Sequence, residues 1–133
     1  MDIQNTLLES LGMNIISLAK DSVVITMPVD ERTHQPAGYL HGGASVALAE
    51  TAASIGAYLH VDQKTTDVFG MEINANHIKS KKSGTVTAKA QPVHVGRTTM
   101  VWEIHITDEL NQLICTSRCT IGVVTKRSKE ISQ

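Results

Sequence analysis

The chain is poor in aromatic side chains, with one Trp, two Tyr and one Phe among 133 residues. Its core must therefore be filled by Val, Ile, Leu, Ala and Met, which suits close packing of a helix on a sheet. The chain also lacks an excess of either charge, because its net charge is −1 at pH 7. This balance argues against a broad surface for nucleic acid or for a membrane.

Long apolar runs are absent too, and no segment approaches the length of a membrane span. The first ten residues contain acids but no basic stretch, so we expect no secretory signal and a cytoplasmic protein. The two cysteines, Cys115 and Cys119, are four residues apart on an expected strand. Along a strand they would lie about 13 Å apart, too far for a disulfide, so we interpret them as buried free thiols. No His-Glu-x-x-His or paired-cysteine pattern occurs, and we expect no metal site.

The periodicity of the remaining residues predicts one α+β domain over residues 1–125 and a polar tail over 126–133. A short N-terminal helix is expected to end at Gly12, and a strand beginning at Val23 is expected to close at Pro28. A long helix follows, and then a loop that begins at Asp62 and includes Phe69. Further strands are expected over 71–77, 85–95, 102–107 and 113–123. Roughly five antiparallel strands, each apolar on one face, would wrap around the central helix.

The most informative segment is the expected helix from His41 to His60, which consists almost entirely of Ala, Gly, Ser and short aliphatic residues. Glu50 lies in its middle among apolar neighbours, where an ionised group is costly unless it has a partner or a task. Ser54 is four residues further on and Gly43 is seven residues earlier, so all three share one face. Free N–H groups at a helix start favour developing negative charge. One stripe therefore carries an oxyanion donor, a carboxylate and a hydroxyl.

The length of this stripe predicts a dimer. Gly42 and Glu50 are eight residues apart, or about 12 Å along a helix. Reacting groups must lie within roughly 3 to 3.5 Å of each other, so one acyl group cannot touch both in one chain. If the stripe is one site, the amide comes from one subunit and the carboxylate from another, which gives two identical sites per dimer.

Simpler interpretations of these residues remain open. Glu50 could be a structural carboxylate paired with a buried His or Arg. Gly42 and Gly43 could only permit a tight turn, and His41 could be a cap that satisfies the helix start. Ser54 alone would be an ordinary small packing residue.

A basic cluster, Lys79, Lys81 and Lys82, lies at an expected turn between strands. It is either a solvated turn or a docking site for a phosphate on a ligand whose reactive end reaches the helix. Arg97, which follows a glycine and is expected to begin a strand, could add to that docking site.

The chain resembles the hotdog-fold thioesterases of the 4-hydroxybenzoyl-CoA thioesterase-like superfamily, in the branch with a catalytic Glu. The matching segments are His41-Gly42-Gly43-Ala44-Ser45 with Glu50 and Ser54, Gln35-Pro36, Glu72-Ile73-Asn74-Ala75-Asn76-His77, and Pro92-Val93-His94-Val95-Gly96-Arg97. The resemblance covers roughly residues 3–125 and points to the bacterial 1,4-dihydroxy-2-naphthoyl-CoA hydrolases of menaquinone biosynthesis. It implies a hotdog fold, an antiparallel sheet wrapped around one long central helix, and hydrolysis of an aromatic acyl-CoA.

The resemblance also implies roles for individual residues. Glu50 would attack the thioester carbonyl or activate water, and the Gly42 amide of the other subunit would polarise that carbonyl. Gln35 and His41 would lie beside the thioester on the subunit of Gly42, and Ser54 would orient water beside Glu50. The residues implied or expected at the substrate and CoA-binding surface are His77, Lys79, Lys82, Arg97 and Phe69.

No cofactor is expected, because coenzyme A is part of the substrate. The family's assembly implies a homodimer, with a homotetramer made of two dimers also common. Two alternatives stay open: a broad-specificity proofreading or phenylacetyl-CoA-type thioesterase, and a hotdog module that binds acyl-CoA without turnover. A hotdog dehydratase would usually carry a His-Phe-Pro loop, which this sequence lacks.

Overall fold

The computed structural model describes residues 1–127, in which six antiparallel strands form one sheet beside a long helix. The elements are α1 (Leu7–Ser10), β1 (Asn14–Ala19), β2 (Ser22–Val29), α2 (Gly42–Tyr58), β3 (Thr66–His77), β4 (Gly84–Val95), β5 (Thr99–Thr107) and β6 (Leu113–Thr125). Residues 128–133 of the expected polar tail lie outside the described part.

The strands follow the order β1-β2-β4-β5-β6-β3, so β1 and β3 are the two edges of the sheet. The helix α2 lies on one face of this sheet and contacts every strand from β2 to β6. The predicted α+β hotdog architecture, an antiparallel sheet around one central helix, is confirmed. No helix within residues 1–127 is long and apolar enough to cross a membrane.

The small side chains of α2 have the packing role that the sequence predicts. More than half of the helix is buried, including Leu48, Ala49, Ala52 and Ala53. At Gly56 an added Cβ would lie 2.5 Å from the ring of Trp102, so only glycine lets the helix approach the sheet this closely. The helix therefore has little freedom to shift against the strands, and this fixes the positions of the residues it carries.

The core confirms the alternation predicted for β5 and β6. Trp102, Ile104 and Ile106 are fully buried on one face of β5. Cys115 and Cys119 are buried free thiols on β6, as predicted. Burial raises the pKa of Cys115, and burial, with smaller contributions from Glu50 and Glu72, raises the pKa of Cys119 to about 12.

The N-terminal part of the fold corrects the prediction in three respects. The first helix is only one turn, Leu7–Ser10, although its chain does turn at Gly12 (φ +72°). A sixth strand, β1, was not predicted, because a bulge between Ile15 and Ser17 breaks its alternation. Pro28 lies within β2 and does not end it. The pairing between β1 and β2 stops at Thr26, so the proline, which has no N–H, lies beyond the hydrogen bonds of that pair.

Two candidate site residues also lie in elements other than those predicted. Phe69 belongs to β3 and not to a loop, because Thr66–Gly70 pairs with the end of β6. Arg97 lies in the turn between β4 and β5, and β5 begins only at Thr99.

Candidate active site

The start of α2 presents a backbone amide without an internal partner. His41 is the N-cap, and its Nδ1 accepts a hydrogen bond of 2.8 Å from the Gly43 amide. The carbonyl of His41 accepts from the amides of Ala44 and Ser45. Within residues 1–127, no acceptor forms a hydrogen bond with the backbone N–H of Gly42. This N–H, at the positive end of the helix, is therefore free to donate to an oxyanion.

A cleft of about 450 Å³ opens beside this amide, and we call it the amide cleft. It is lined by Gln35, Tyr39, Leu40, Gly42, Ser45, His77, Ile78, Lys79, Ser80 and Ile114. The ring of His77 lies directly against Gly42, since a Cβ on this glycine would be 3.0 Å from His77 Nε2. The Gln35 Oε1 accepts from the Ala37 amide, which leaves the side-chain NH2 of Gln35 able to donate into the cleft. Three residues that were assigned separately, Gln35, Gly42 and His77, thus come together.

The ring of His41 faces elsewhere. It lines a neighbouring groove with Leu7, Leu11 and Ala44 and is absent from the amide cleft. Because Nδ1 of His41 accepts the hydrogen bond from the Gly43 amide, the neutral form of this ring carries its proton on Nε2. In this chain His41 supports the helix start, and the capping alternative accounts for its contacts.

Glu50 is half-buried on α2 and faces β3. A Cβ placed on Gly70 would collide with Glu50 Oε2, so the carboxylate points at the bare backbone of β3. In the described part of the chain, no Lys, Arg or His lies within salt-bridge distance of Glu50. The structural alternative, a carboxylate paired with a buried cation, therefore finds no support.

A second cleft, also of about 450 Å³, contains this carboxylate, and we call it the carboxylate cleft. Its lining residues are Met1, Leu7, Leu8, Ala47, Glu50, Thr51, Ser54 and Ile55. Glu50 and Ser54 thus share one wall, as their spacing of four predicts. The lining of the cleft is otherwise mostly apolar, so it suits an apolar group beside a carboxylate.

The amide cleft and the carboxylate cleft have no residue in common. Gly42 and Glu50 are about 12 Å apart along the helix axis, so each chain presents two half-sites. This separation is what the sequence predicts for a site shared between subunits, and that sharing stays a prediction.

The lysine cluster divides into residues with different roles. Lys81 forms an ion pair of 2.6 Å with Glu109, and this hydrogen bond lowers the pKa of the Glu109 carboxyl. Lys79 donates to Gln112 Oε1 at the mouth of the amide cleft, and Lys82 lies 5.1 Å from the centroid of the Tyr39 ring. Within residues 1–127, Lys79 and Lys82 form no ion pair, whereas Lys81 supports the turn through Glu109.

Arg97 does not join this cluster in one chain. The lysines precede β4 and Arg97 follows it, and the twelve residues of β4 extend about 36 Å along the strand from Gly84 to Val95. Arg97 lies instead at the end of the sheet where β6 pairs with Phe69. Phe69 is 57% exposed and lines neither cleft. A phosphate held by both Arg97 and the lysines would need two chains.

Sequence reasoning missed residues of the amide cleft and the glycine that Glu50 contacts. Ser45 lies one turn after Gly42, and the helical spacing of three could have identified it. Tyr39 directly precedes Leu40 and could have been included with the loop. Gly70 carried no local signal, because its contact with Glu50 depends on how β3 packs against α2.

Comparison with known proteins agrees with this geometry. The model of the thioesterase superfamily matches residues 37–115. This chain belongs to the thioesterase superfamily. It is 60% identical over 126 residues to ComA2 of Bacillus subtilis, which carries only a general esterase name, covering 95% of this chain and all of that protein. It is 55% identical over 119 residues to a 1,4-dihydroxy-2-naphthoyl-CoA hydrolase of Listeria monocytogenes, covering 90% of this chain and 96% of that protein.

A solved structure of a mutant thioesterase from Pseudomonas aeruginosa superimposes with a TM-score of 0.91 at 43% identity, covering 93% of this chain and 89% of that one. Together, the sequence and the structural matches identify this chain as a thioester hydrolase of the hotdog fold.

Proposed function

We propose that this thioesterase hydrolyses an aromatic acyl-CoA, with 1,4-dihydroxy-2-naphthoyl-CoA of menaquinone biosynthesis as its physiological substrate. The observation that carries the proposal is the unpaired carboxylate of Glu50, which lies against Gly70 in a mostly apolar cleft. The Listeria monocytogenes relative supports the choice of acyl group. The wall formed by Leu7, Leu8 and Ile55 suits a ring system better than a polar acyl group.

The chemistry needs only groups that the chain supplies. The amide of Gly42 donates to the thioester oxygen and stabilises the negative charge that develops on it. Glu50 either attacks the carbonyl carbon, which expels the CoA thiolate and leaves a mixed anhydride that water then hydrolyses, or it removes a proton from a water that Ser54 orients, and that water attacks the carbonyl and expels the thiolate. Both routes give the free acid and CoA, and both return Glu50 to its starting form. Gln35 donates beside the thioester from the amide cleft. No metal or cofactor enters the proposed reaction.

The two half-sites become one site if two copies of β3 pair across a two-fold axis. Gly70 of β3 touches Glu50, and His77 of β3 touches Gly42. Antiparallel pairing centred near Ile73 and Asn74 would bring Gly70 of one copy beside the partner's His77. That register brings Glu50 toward the partner's Gly42. The free edge of β3 supports this arrangement, because long exposed edges normally need a partner.

We further propose that two such dimers associate into a tetramer and that the enzyme acts in the cytoplasm. Two cysteines that the fold keeps as free thiols fit a reducing compartment. Lys79, which lines the amide cleft, and Lys82, which lies over the ring of the cleft residue Tyr39, are proposed to bind CoA phosphates.

A broad-specificity aroyl-CoA thioesterase of the proofreading type is the second candidate. The observation that favours it is the similarity to ComA2, which at 60% identity has no substrate in its name. The two candidates differ only in acyl preference, so one panel of acyl-CoAs separates them.

The test is thiol release from naphthoyl-, benzoyl-, phenylacetyl- and acetyl-CoA by the wild type and by Glu50→Gln. We expect the wild type to favour the naphthoyl thioester, and Glu50→Gln to lose at least about 100-fold in kcat. Glu103→Gln, a carboxylate on the outer face of β5, is the matched control and should keep its activity. A wild type that binds these thioesters without releasing thiol would instead be a binding module. Equal rates on all aromatic thioesters would favour the proofreading alternative.

A further inference from the structure

The N-terminal twelve residues are joined to the rest of the molecule in an unusual way. Each hydrogen bond formed by residues 1–12 ends within residues 2–13, as in the bonds from Met13 to Leu8 and from Gly12 to Glu9. In residues 1–127 no ion pair reaches this segment. Within the described residues, the segment is therefore held on the domain without hydrogen bonds or ion pairs, by apolar contacts and by the packing of the Arg32 side chain beside Gly12.

Those contacts are few and one-sided. Leu8 and Leu11 are half-buried against the core, whereas Leu7 is 55% exposed although it lies in the one-turn helix α1. A four-residue helix has little stability of its own, and α1 has no side-chain cap. The segment leaves the domain at Gly12, where φ is +72°. A weakly attached turn of this kind can move without breaking the sheet.

The exposed side of this segment forms a wall of the carboxylate cleft. Leu7 and Leu8 face Glu50 and Ser54 across that cleft. The Leu7 side chain is more than half exposed and lies beside an unpaired carboxylate. It therefore becomes more buried when an apolar group enters the cleft. The occupant that fits both walls is the acyl part of a thioester whose carbonyl carbon lies at Glu50.

We propose that residues 1–11 form an apolar flap over the acyl group and that Leu7 determines acyl specificity. This inference rests on the proposed function, because it takes the acyl group to be the occupant of the carboxylate cleft. A large aromatic acyl group buries Leu7 when it binds, and this contact holds the flap against the domain. A small acyl group such as acetyl does not reach it.

The first test compares Leu7→Ala with the wild type on naphthoyl-CoA and on acetyl-CoA. Losing most of an apolar side chain from the contact should lower kcat/KM for the naphthoyl thioester about tenfold, mainly through KM, and for acetyl-CoA by less than about twofold. Leu110→Ala removes a leucine that is 79% exposed in the turn between β5 and β6, and it should change neither value. Equal losses on both thioesters, or no loss on either, would overturn the proposal.

The second test does not need turnover. Hydrogen exchange of peptides from residues 1–12 is measured with naphthoylmethyl-CoA, a thioether that the enzyme cannot hydrolyse, and with CoA alone. The thioether should slow exchange of the flap in the wild type but not in Leu7→Ala, and CoA alone should leave it unchanged. Flap exchange that ignores the thioether, or that responds equally to CoA, would contradict the inference. If the wild type releases no thiol from any acyl-CoA but the thioether still protects the flap, the proposed function fails and the flap stands.

Discussion

Gly70→Ala offers a way to displace the carboxylate of Glu50 without altering it chemically. The new Cβ would occupy the place of Glu50 Oε2, and no other atom outside Glu50 lies among its closest neighbours. Because Oε2 is the far end of a flexible side chain, the glutamate can rotate away while the backbone stays. The substitution therefore changes where the carboxylate points and little else.

The expected magnitudes separate catalysis from stability. Gly70 is not among the glycines with positive φ, so alanine fits its backbone. Replacing glycine within a strand removes an entropic cost of roughly 0.5–1 kcal/mol, so the free energy of unfolding should stay constant or rise slightly. A displacement of about 1 Å at a reacting group costs on the order of 100-fold in rate, or about 2.7 kcal/mol of activation free energy. We expect kcat to fall by that factor.

The assay is thiol release from naphthoyl-CoA, together with thermal unfolding of the same preparations. Gly122→Ala is the matched control, since Gly122 also lies in a strand and its Cβ would meet Met71 Sδ at 2.8 Å, away from Glu50. Gly122→Ala should keep its kcat. A Gly70→Ala enzyme with normal kcat would refute the reasoning that the position of Glu50 against β3 sets the rate.

Three further predictions concern ionisable side chains. Lys79→Ala and Lys82→Ala should raise KM for CoA thioesters and not for N-acetylcysteamine thioesters, which lack the phosphates; equal effects on both would remove these lysines from phosphate binding. The raised pKa values of Cys115 and Cys119 predict that Ellman's reagent fails to label the native protein at pH 8 and labels it after unfolding. Because both pKa values are higher in the folded state, the stability they contribute is complete below about pH 8.5 and falls as pH rises above it, which urea unfolding at pH 8 and pH 10 measures.

The sequence alone predicts how the site residues on one helix are placed relative to one another. Spacing along α2 related Glu50 to Ser54 and to the glycines at the helix start, since helical geometry is local and regular. The distance from Gly42 to Glu50 could be worked out in the same way. The structure keeps both relationships, with Glu50 and Ser54 in one cleft and Gly42 in another.

Features that depend on tertiary packing could not be predicted in this way. Gly70 is twenty residues from Glu50, and nothing near it in the sequence indicates which atom of the helix it meets. The sequence predicts a loop at Phe69, since no periodicity marks this segment, but pairing with Gly122 of β6 makes Phe69 part of a strand. The sequence predicts an ordinary N-terminal helix where the structure has the flap. The hydrophobic spacing from Ile3 to Leu11 indicates a helix but does not show that Leu7 remains exposed.

The shared site can be tested with hybrid dimers. Gly42→Pro removes the amide proton while keeping the helix, because proline is favoured at the first helical position and His41 has φ −69° and ψ 129°, which suit the residue before proline. Gly42→Ala keeps the amide and is the control for the added side chain. Glu50→Gln removes the carboxylate.

Glu50→Gln and Gly42→Pro should each be inactive on their own. The activity of their mixture after subunit exchange shows whether one active site is built from one chain or from two. If each site takes its amide from one chain and its carboxylate from the other, half of the dimers are hybrids with one intact site of two. The mixture then recovers about a quarter of wild-type activity. No recovery, with hybrid dimers verified by native mass spectrometry, would contradict a site built from both subunits.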